Sequence, residues 1–187
     1  MQRNQNGMLI YSPSDLIRFM ESPFASWMER LRLDRPDDVI RDEPSEELKL
    51  IAKTGNAHEA AYLQWLKNQG RDVCEVPRDS STADFTRKAI QDRREVIFQG
   101  YLSLPPFAGY TDFLVRTADS SLYEVWDTKL ARKVKPYYLI QLCCYAEMLE
   151  SVQGQRPECI CVVLGTDKVK RFRTVDLFWK NSRSENE

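Results

Sequence analysis

The sequence predicts a single α/β domain, and three observations lead to this prediction. The chain has 187 residues, 42% of them hydrophobic, which suffices for one sizeable core but not for two ordinary domains. Helical periodicity dominates the chain up to Gly70, and short apolar runs typical of strands follow it. A further amphipathic helix then separates two of these strand-like runs.

The first part of the chain predicts two short helices. Ser12 is suited to the N-cap and Pro13 to the first helical position, so a helix is expected over 12–20. Ser22-Pro23 interrupts it, and the apolar segment 24–33 predicts a second helix. The acidic segment that follows is expected to be a solvated loop.

The clearest periodic segment, 45–68, predicts a third and longer helix. Six of its residues recur at spacings of three and four and define the expected inward face: Leu48, Ile51, Gly55, His58, Tyr62 and Trp65. Because glycine is costly inside a helix, Gly55 suggests that another backbone or a ligand comes close there.

Strands are expected from Gly70 onward. They are predicted over 73–76, 96–102, 109–116 and 122–130, with a helical piece over 85–92. The last two should form a hairpin that turns around Asp119 and Ser120. Beyond them the sequence predicts a helix over 136–150, strands over 159–164 and 171–175, and a polar, disordered tail at 181–187.

Charge and cysteine content limit the possible function classes. Lys plus Arg is 27 and Asp plus Glu is 28, so net charge does not favour a large nonspecific grip on DNA, and DNA contacts would need local basic patches. Five cysteines are an odd number, which argues against a disulfide framework. No apolar run approaches a membrane span, and residues 1–7 are polar, so a soluble, cytoplasmic protein is expected.

The first candidate for chemistry is the pair Asp127 and Lys129. Two positions apart on a strand, their side chains share one face. Phosphodiester hydrolysis needs a divalent cation, carboxylate oxygens to hold it, and a cation or base beside the attacking water. The pattern alone is weak evidence, since an Asp-x-Lys arises by chance about once in two chains of this length and a surface ion pair has the same pattern.

Asp112 strengthens the case because it lies in an apolar strand, where an unpaired charge is expensive. If the hairpin turns tightly, counting back along both strands puts Asp112 opposite Asp127, with side chains about 5 Å apart. A metal ion between the two carboxylates would relieve their repulsion. The alternative is that one is protonated or that both pair with Arg or Lys. Metal binding is the preferred interpretation.

Two further elements offer residues to this site. His58, the only histidine, is either a core residue or a third metal ligand, and its neighbour Glu59 is the alternative group for the metal-bound water. Gln141 and Tyr145 are stacked on one helical face, where they either support the helix or line the site. Three basic residues precede that helix and are candidates for holding phosphates: Arg132, Lys133 and Lys135.

Four blocks in order carry a family resemblance: Gly55-x-x-His58-Glu59, Gly109-x-x-Asp112, Asp127-x-Lys129 and Gln141-x-x-x-Tyr145. From about residue 12 to 175 the chain resembles the RecB-type nucleases of the PD-(D/E)xK superfamily, most closely over 123–131. The resemblance implies a restriction-endonuclease-like fold, with a central mixed β-sheet flanked by helices in one nuclease domain over 1–180.

The resemblance also implies the composition of the site. It implies Mg²⁺ or Mn²⁺ with four ligands: the side chains of His58, Asp112 and Asp127 and the backbone carbonyl of Thr128. Lys129 would orient the water or stabilise the pentacovalent phosphate, and Gln141 and Tyr145 would complete the site. Cleavage would leave a 5′-phosphate and a 3′-hydroxyl.

Some relatives carry an iron–sulfur cluster, and the sequence departs from their pattern. Ser22-Pro23 stands where they have Cys-Pro, and Cys159 and Cys161 lie in an apolar strand whose thiols would point into the core. Four cluster ligands cannot be assembled, so no iron–sulfur cluster is expected.

The expected function is that of a metal-dependent deoxyribonuclease in DNA repair, recombination or defence, with DNA as its substrate and a helicase or recombination protein as a possible partner. An inactive nucleic-acid-binding module that serves such a partner is the alternative. A weaker third interpretation is another kind of enzyme that uses the same Asp-Asp-Lys cluster.

Overall fold

A computed structural model of the protein describes residues 1–4, 6–40, 42–118, 121–166 and 168–178. Its helices are α1 (Pro13–Glu21), α2 (Pro23–Asp34), α3 (Glu46–Asn68), α4 (Thr82–Gln91), α5 (Pro136–Gln153) and α6 (Thr174–Phe178). Its strands are β1 (Gln2–Arg3), β2 (Leu9–Ile10), β3 (Val73–Glu75), β4 (Val96–Phe98), β5 (Tyr101–Leu104), β6 (Phe107–Tyr110), β7 (Phe113–Arg116), β8 (Tyr123–Lys129), β9 (Cys159–Leu164) and β10 (Val169–Arg173).

Six strands form one mixed sheet in the order β10-β9-β8-β7-β4-β3. The pairs β3–β4 and β8–β9 are parallel, whereas β4–β7, β7–β8 and β9–β10 are antiparallel. Helix α5 connects the parallel strands β8 and β9, since a parallel pair needs a long crossover. The predicted single α/β domain with a mixed sheet flanked by helices is confirmed.

Helices cover both faces of this sheet. On one face, α5 packs Leu142 and Met148 against strand residues such as Val125 in the larger core. On the other face, α3 packs Leu63 and Leu66 against β4 and β7 in a smaller core. Successive strand residues alternate between the two cores, as side chains on a pleated strand must.

Two of the predicted strands are in fact divided. The segment 96–102 contains β4 and β5, and 109–116 contains β6 and β7, because a long hairpin leaves the six-stranded sheet and forms a separate two-stranded sheet, β5–β6. The division falls at Gln99, whose φ is +57°. Across the division, the amide of Gln99 donates to the carbonyl of Asp112 and that of Thr111 to the carbonyl of Gly100. Asp112 therefore lies just before β7.

The prediction for the inward face of α3 is wrong over much of its length. Leu48, Ile51 and Trp65 are each more than half exposed, and the buried side chains are Leu63 and Leu66. Only the C-terminal part of this helix packs on the sheet, so periodicity in its first half reflects no core contact. A Cβ atom on Gly55 would meet nothing within 4 Å, so no backbone of the described residues outside this helix approaches there.

The ends of the chain bring smaller corrections. The last strand begins and ends earlier than predicted, and 174–175 opens α6, with the Thr174 hydroxyl donating to the carbonyls of Pro157 and Glu158. The short strands β1 and β2 were not predicted. The expected turn at Asp119 and Ser120 and the tail 181–187 lie outside the described residues.

None of the helices in the described part of the chain combines the length and the apolar character needed to cross a membrane.

Candidate functional site

The site is centred on the end of the β7–β8 ladder. Its last pair is Phe113 with Trp126, so the next residues outward are Asp112 and Asp127, and Asp112 is close enough for its charge to add to the effect of burial in raising the pKa of Asp127. The register of this ladder is the one counted from the sequence. The side chain of Asp127 points to the face covered by α5, as does that of Val125 two residues earlier on β8, whereas Oδ2 of Asp112 accepts hydrogen bonds from Thr128, the next residue of that strand.

Asp127 is a buried carboxylate with incomplete compensation. Its Oδ2 atom lies 2.7 Å from Nζ of Lys129. The Lys129 ammonium is the partner of this buried oxygen, and no other described residue donates a hydrogen bond to it. Burial and the neighbouring Asp112 raise the pKa of Asp127 to about 7 against the opposing effect of Lys129. The pocket therefore resists a second negative charge.

Asp112 is held in place by Thr128. The backbone amide and the hydroxyl of Thr128 both donate to Oδ2 of Asp112, at 2.7 and 2.8 Å. Two donors on one oxygen fix the orientation of the half-buried carboxylate. The resemblance implied the carbonyl of Thr128 as a metal ligand, and the structure adds a separate role for its amide and hydroxyl.

Lys129 reaches the carboxylates from the end of β8. Burial lowers its pKa, but Asp127 and Asp112 more than compensate and raise it above its ordinary value. The side chain therefore stays an ammonium. Its Nζ also lies 5.4 Å from the ring centroid of Tyr138 at the start of α5, an arrangement suited to a cation–π contact.

Helix α3 contributes Glu59. The periodicity of the sequence had left open whether His58 or Glu59 acts at the site. Burial and the charge of Asp112 raise the pKa of Glu59, which places this carboxyl within electrostatic range of the site. Gln99 Nε2 donates to Glu59 Oε1 at 2.5 Å. Nε2 of His58 is buried and has no partner among the described residues.

Helix α5 supplies the two residues predicted from it, and both are buried. The Tyr145 hydroxyl donates to the carbonyl of Tyr110 at 2.6 Å. Burial, Asp127 and Asp112 together raise the pKa of Tyr145. Gln141 lies one turn earlier, and its Oε1 is buried without a partner in the described structure.

Gly109 explains why this tyrosine fits. A Cβ atom at position 109 would lie 2.8 Å from Tyr145 Oη and 3.0 Å from Cδ of Pro13. These distances are below ordinary contact, so a side chain there would displace Tyr145 or α1. The glycine thus serves packing around the site.

Sequence reasoning missed Arg78 and Gln99. Arg78 Nε donates to Gln99 Oε1 at 2.6 Å, and its guanidinium carbon lies 4.5 Å from the ring centroid of Tyr110. No local pattern indicated either residue, since Arg78 follows β3 and comes near the site only through folding. The link from Gln99 to Glu59 connects them to the carboxylates.

The basic residues before α5 are at the surface. Arg132, Lys133 and Lys135 are all exposed, and Lys135 Nζ lies 5.5 Å from the ring centroid of Tyr137. They precede the helix that carries Gln141 and Tyr145. Their exposure allows the predicted contact with phosphates.

The atoms that could bind a metal ion come from several elements around the site. Among the described residues, no three His, Cys, Asp or Glu side chains form a group that could hold a metal ion. Nevertheless, Nε2 of His58 is buried without a hydrogen-bond partner there, and buried Oδ2 of Asp127 has only the Lys129 ammonium beside it. Two neighbouring carboxyl groups of this kind fit a divalent cation, so the Mg²⁺ or Mn²⁺ site stays a prediction.

The cysteines bear on the expectation about an iron–sulfur cluster. All five thiols are free, and Cys159 and Cys161 are buried on β9. Cys143 and Cys144 are adjacent on α5. The expectation that the protein carries no cluster stays a prediction.

The chain was also compared with known proteins. No protein-family model matches it, and no curated protein is significantly similar to it. The resemblance to RecB-type nucleases therefore depends on the four blocks of residues and on their order in the chain.

Proposed function

We propose that the protein is a divalent-metal-dependent deoxyribonuclease that hydrolyses phosphodiester bonds. The observation that carries the proposal is the position of Asp112 and Asp127 just beyond the last pair of the β7–β8 ladder, with the ammonium of Lys129 on Asp127. A restriction-endonuclease-like architecture is part of this proposal, and the mixed sheet with α3 and α5 on opposite faces supports it.

The charge balance favours a cation in addition to Lys129. Three carboxyl groups influence one another here, since burial is the main cause of the raised pKa of Asp127 and the charges of Asp112 and Glu59 add to it. The ammonium of Lys129 opposes this effect, but the pKa of Asp127 is still about 7. A divalent ion supplies the missing positive charge.

Asp112 and Asp127 would hold the ion, with His58 and the carbonyl of Thr128 as further ligands. Bound Mg²⁺ or Mn²⁺ neutralises phosphate charge and lowers the pKa of a water ligand. The hydrogen bonds from Thr128 keep Asp112 oriented without movement at the moment of binding.

The remaining residues act on water and phosphate. The Lys129 ammonium orients the attacking water or stabilises the charge that develops on the phosphate, and its raised pKa keeps it charged at neutral pH. Gln141 and Tyr145 line the α5 side of the site. In-line attack would leave a 5′-phosphate and a 3′-hydroxyl.

The test is digestion of linear, circular, single-stranded and double-stranded DNA with Mg²⁺ or Mn²⁺. We expect cleavage that EDTA stops and that Asp127→Ala or Lys129→Ala abolishes. Matched controls are Asp92→Ala and Lys88→Ala, which remove the members of an exposed Lys–Asp ion pair at 3.1 Å on and just after α4. Both controls should keep full activity.

Metal-dependent cleavage retained by the Asp127 and Lys129 variants would contradict the assigned roles. DNA binding without cleavage, together with no Mn²⁺ binding by calorimetry, would instead support an inactive nucleic-acid-binding module that serves a helicase or recombination protein. Absence of any DNA affinity would favour an enzyme of another kind.

A further inference from the structure

Arg78 is an exposed arginine that the fold nevertheless holds in one position. Its guanidinium donates to Gln99 Oε1 through both Nε and Nη2 and lies over the ring of Tyr110. A long charged side chain at the surface normally samples many rotamers, and fixing it costs conformational entropy. Two simultaneous restraints on an exposed cation suggest preparation for a ligand.

The residue that holds Arg78 is itself strained. Gln99 has a φ of +57°, a left-handed conformation that is uncommon for residues other than glycine. Strain of this kind is tolerated where the surroundings enforce it, and it concentrates at functional sites. Here it lets one side chain contact both Arg78 and Glu59.

Aromatic rings extend this surface. Tyr110 packs against Tyr101 with ring centroids 5.1 Å apart and an interplanar angle of 63°. Both side chains are partly exposed. Together with Arg78 they form the Arg78 cluster, defined as Arg78, Tyr101 and Tyr110.

The Arg78 cluster adjoins the carboxylates. Tyr110 is two residues from Asp112, and its carbonyl accepts the hydroxyl of Tyr145. Arg78 is close enough to lower the pKa values of Glu59 and Tyr145, partly offsetting the burial that raises them. The guanidinium thus lies near the carboxyl groups. It comes from a segment of the chain distant from the basic residues that precede α5.

We propose that the Arg78 cluster binds the nucleotide next to the cleaved bond of an unpaired DNA strand. The guanidinium would contact the phosphate, and its exposed plane, supported by Tyr110, would stack on the base. Stacking on aromatic and guanidinium planes is available only to bases that are not enclosed in a duplex, whereas phosphate contact is available in both. This inference rests on the proposed nuclease function and names single strands as its preferred substrate.

The experiment measures DNA binding in the Lys129→Ala background, which prevents cleavage. Fluorescence anisotropy compares a single-stranded oligonucleotide with a hairpin duplex of the same composition. Arg78→Gln removes both charge and stacking plane, and Arg78→Lys keeps only the charge. Arg87→Gln is the matched control, because Arg87 is an exposed arginine paired with Asp84 on α4.

We expect Arg78→Gln to weaken single-strand binding on the order of tenfold, the effect of losing about one stacked base. Arg78→Lys should restore duplex binding but not single-strand binding, and Arg87→Gln should match the parent. Tyr110→Leu should lower single-strand affinity in the same direction.

Three results would overturn the inference. They are wild-type affinity in Arg78→Gln, equal losses on single strand and duplex, and full rescue of both by Arg78→Lys. If the parent protein itself binds neither the single strand nor the duplex, the proposed function fails as well. If the parent binds DNA and one of these three results is found, only the inference about Arg78 fails.

Discussion

The hydroxyl of Tyr145 occupies the space that a side chain on residue 109 would need, since a Cβ atom there would lie 2.8 Å from it. The same hydroxyl donates to the carbonyl of Tyr110. One glycine therefore sets how closely α5 approaches β6, and with it the position of Tyr145 beside the carboxylates.

Gly109→Ala should destabilise the protein and reduce cleavage. The added methyl group forces Tyr145 or Pro13 to move, and overpacking of this kind costs about 1–3 kcal/mol. Urea denaturation measures the loss, and the cleavage rate measures the displacement of Tyr145.

Gly55→Ala is the matched control for that substitution. A Cβ atom at Gly55 meets nothing within 4 Å, and alanine is favoured over glycine inside a helix, so the free energy of unfolding of this variant should increase by about 0.5–1 kcal/mol.

Tyr145→Phe removes Oη, the atom nearest to a Cβ on residue 109. The double variant Gly109→Ala/Tyr145→Phe should therefore be less destabilised than the sum of the two single variants. Full additivity would argue against the contact.

The stability of the metal-free protein should depend on Asp127. Its pKa is about 7 in the folded protein against an ordinary 3.8, so between these values the folded state keeps a proton that the unfolded state has released. Stability therefore falls as pH rises from about 4 to about 7, by about 1.4 kcal/mol per pH unit, and this contribution levels off above the folded pKa. Urea denaturation in EDTA should show this slope in the parent and its loss in Asp127→Asn.

Metal affinity should have the opposite pH dependence. A cation binds the ionised carboxylate and competes with the proton on Asp127, so Mn²⁺ affinity should fall about tenfold per pH unit below pH 7 and change little above it. Calorimetric titrations from pH 5.5 to 8 measure the trend. Affinity that is constant across this range would show that Asp127 does not bind the ion.

Thr128→Val should weaken the site without unfolding the protein. The substitution keeps the size of the side chain and the backbone amide bond to Asp112, but removes the hydroxyl bond at 2.8 Å. Loss of one hydrogen bond to a charged group costs about 1.5–3 kcal/mol. We expect this loss to lower the cleavage rate or the affinity for Mn²⁺, and measurement of both quantities tests it. Thr128→Ser keeps the hydroxyl and should retain most of the activity.

The sequence carried enough information to place the two central carboxylates. A two-residue side-chain period and a short connection fix the register of an antiparallel hairpin, so the register of β7 with β8 was correctly predicted, and it leaves Asp112 and Asp127 just beyond the last pair. Helix boundaries were also close to the structure where caps are local, as at Ser12, whose amide and hydroxyl both donate to Asp15 Oδ2.

Features that depend on distant contacts were not accessible in this way. The left-handed Gln99 divides one apolar run into β4 and β5, and nothing in the run itself marks the break. Likewise, the apolar spacing of Leu48 and Ile51 predicted burial, but burial requires a sheet beneath them, and α3 reaches the sheet only near Leu63. Arg78 joins the site through Gln99, a relationship of tertiary structure alone.

The anchoring of Asp112 has a consequence for hydrogen exchange. Asp112 lies beyond the last pair of the β7–β8 ladder, and the amide of Thr128 on β8 donates to its side chain. The exchange rate of that single amide proton therefore reports the position of the Asp112 carboxylate, so an NMR probe of one backbone N–H can follow the acidic pair without any label in the site.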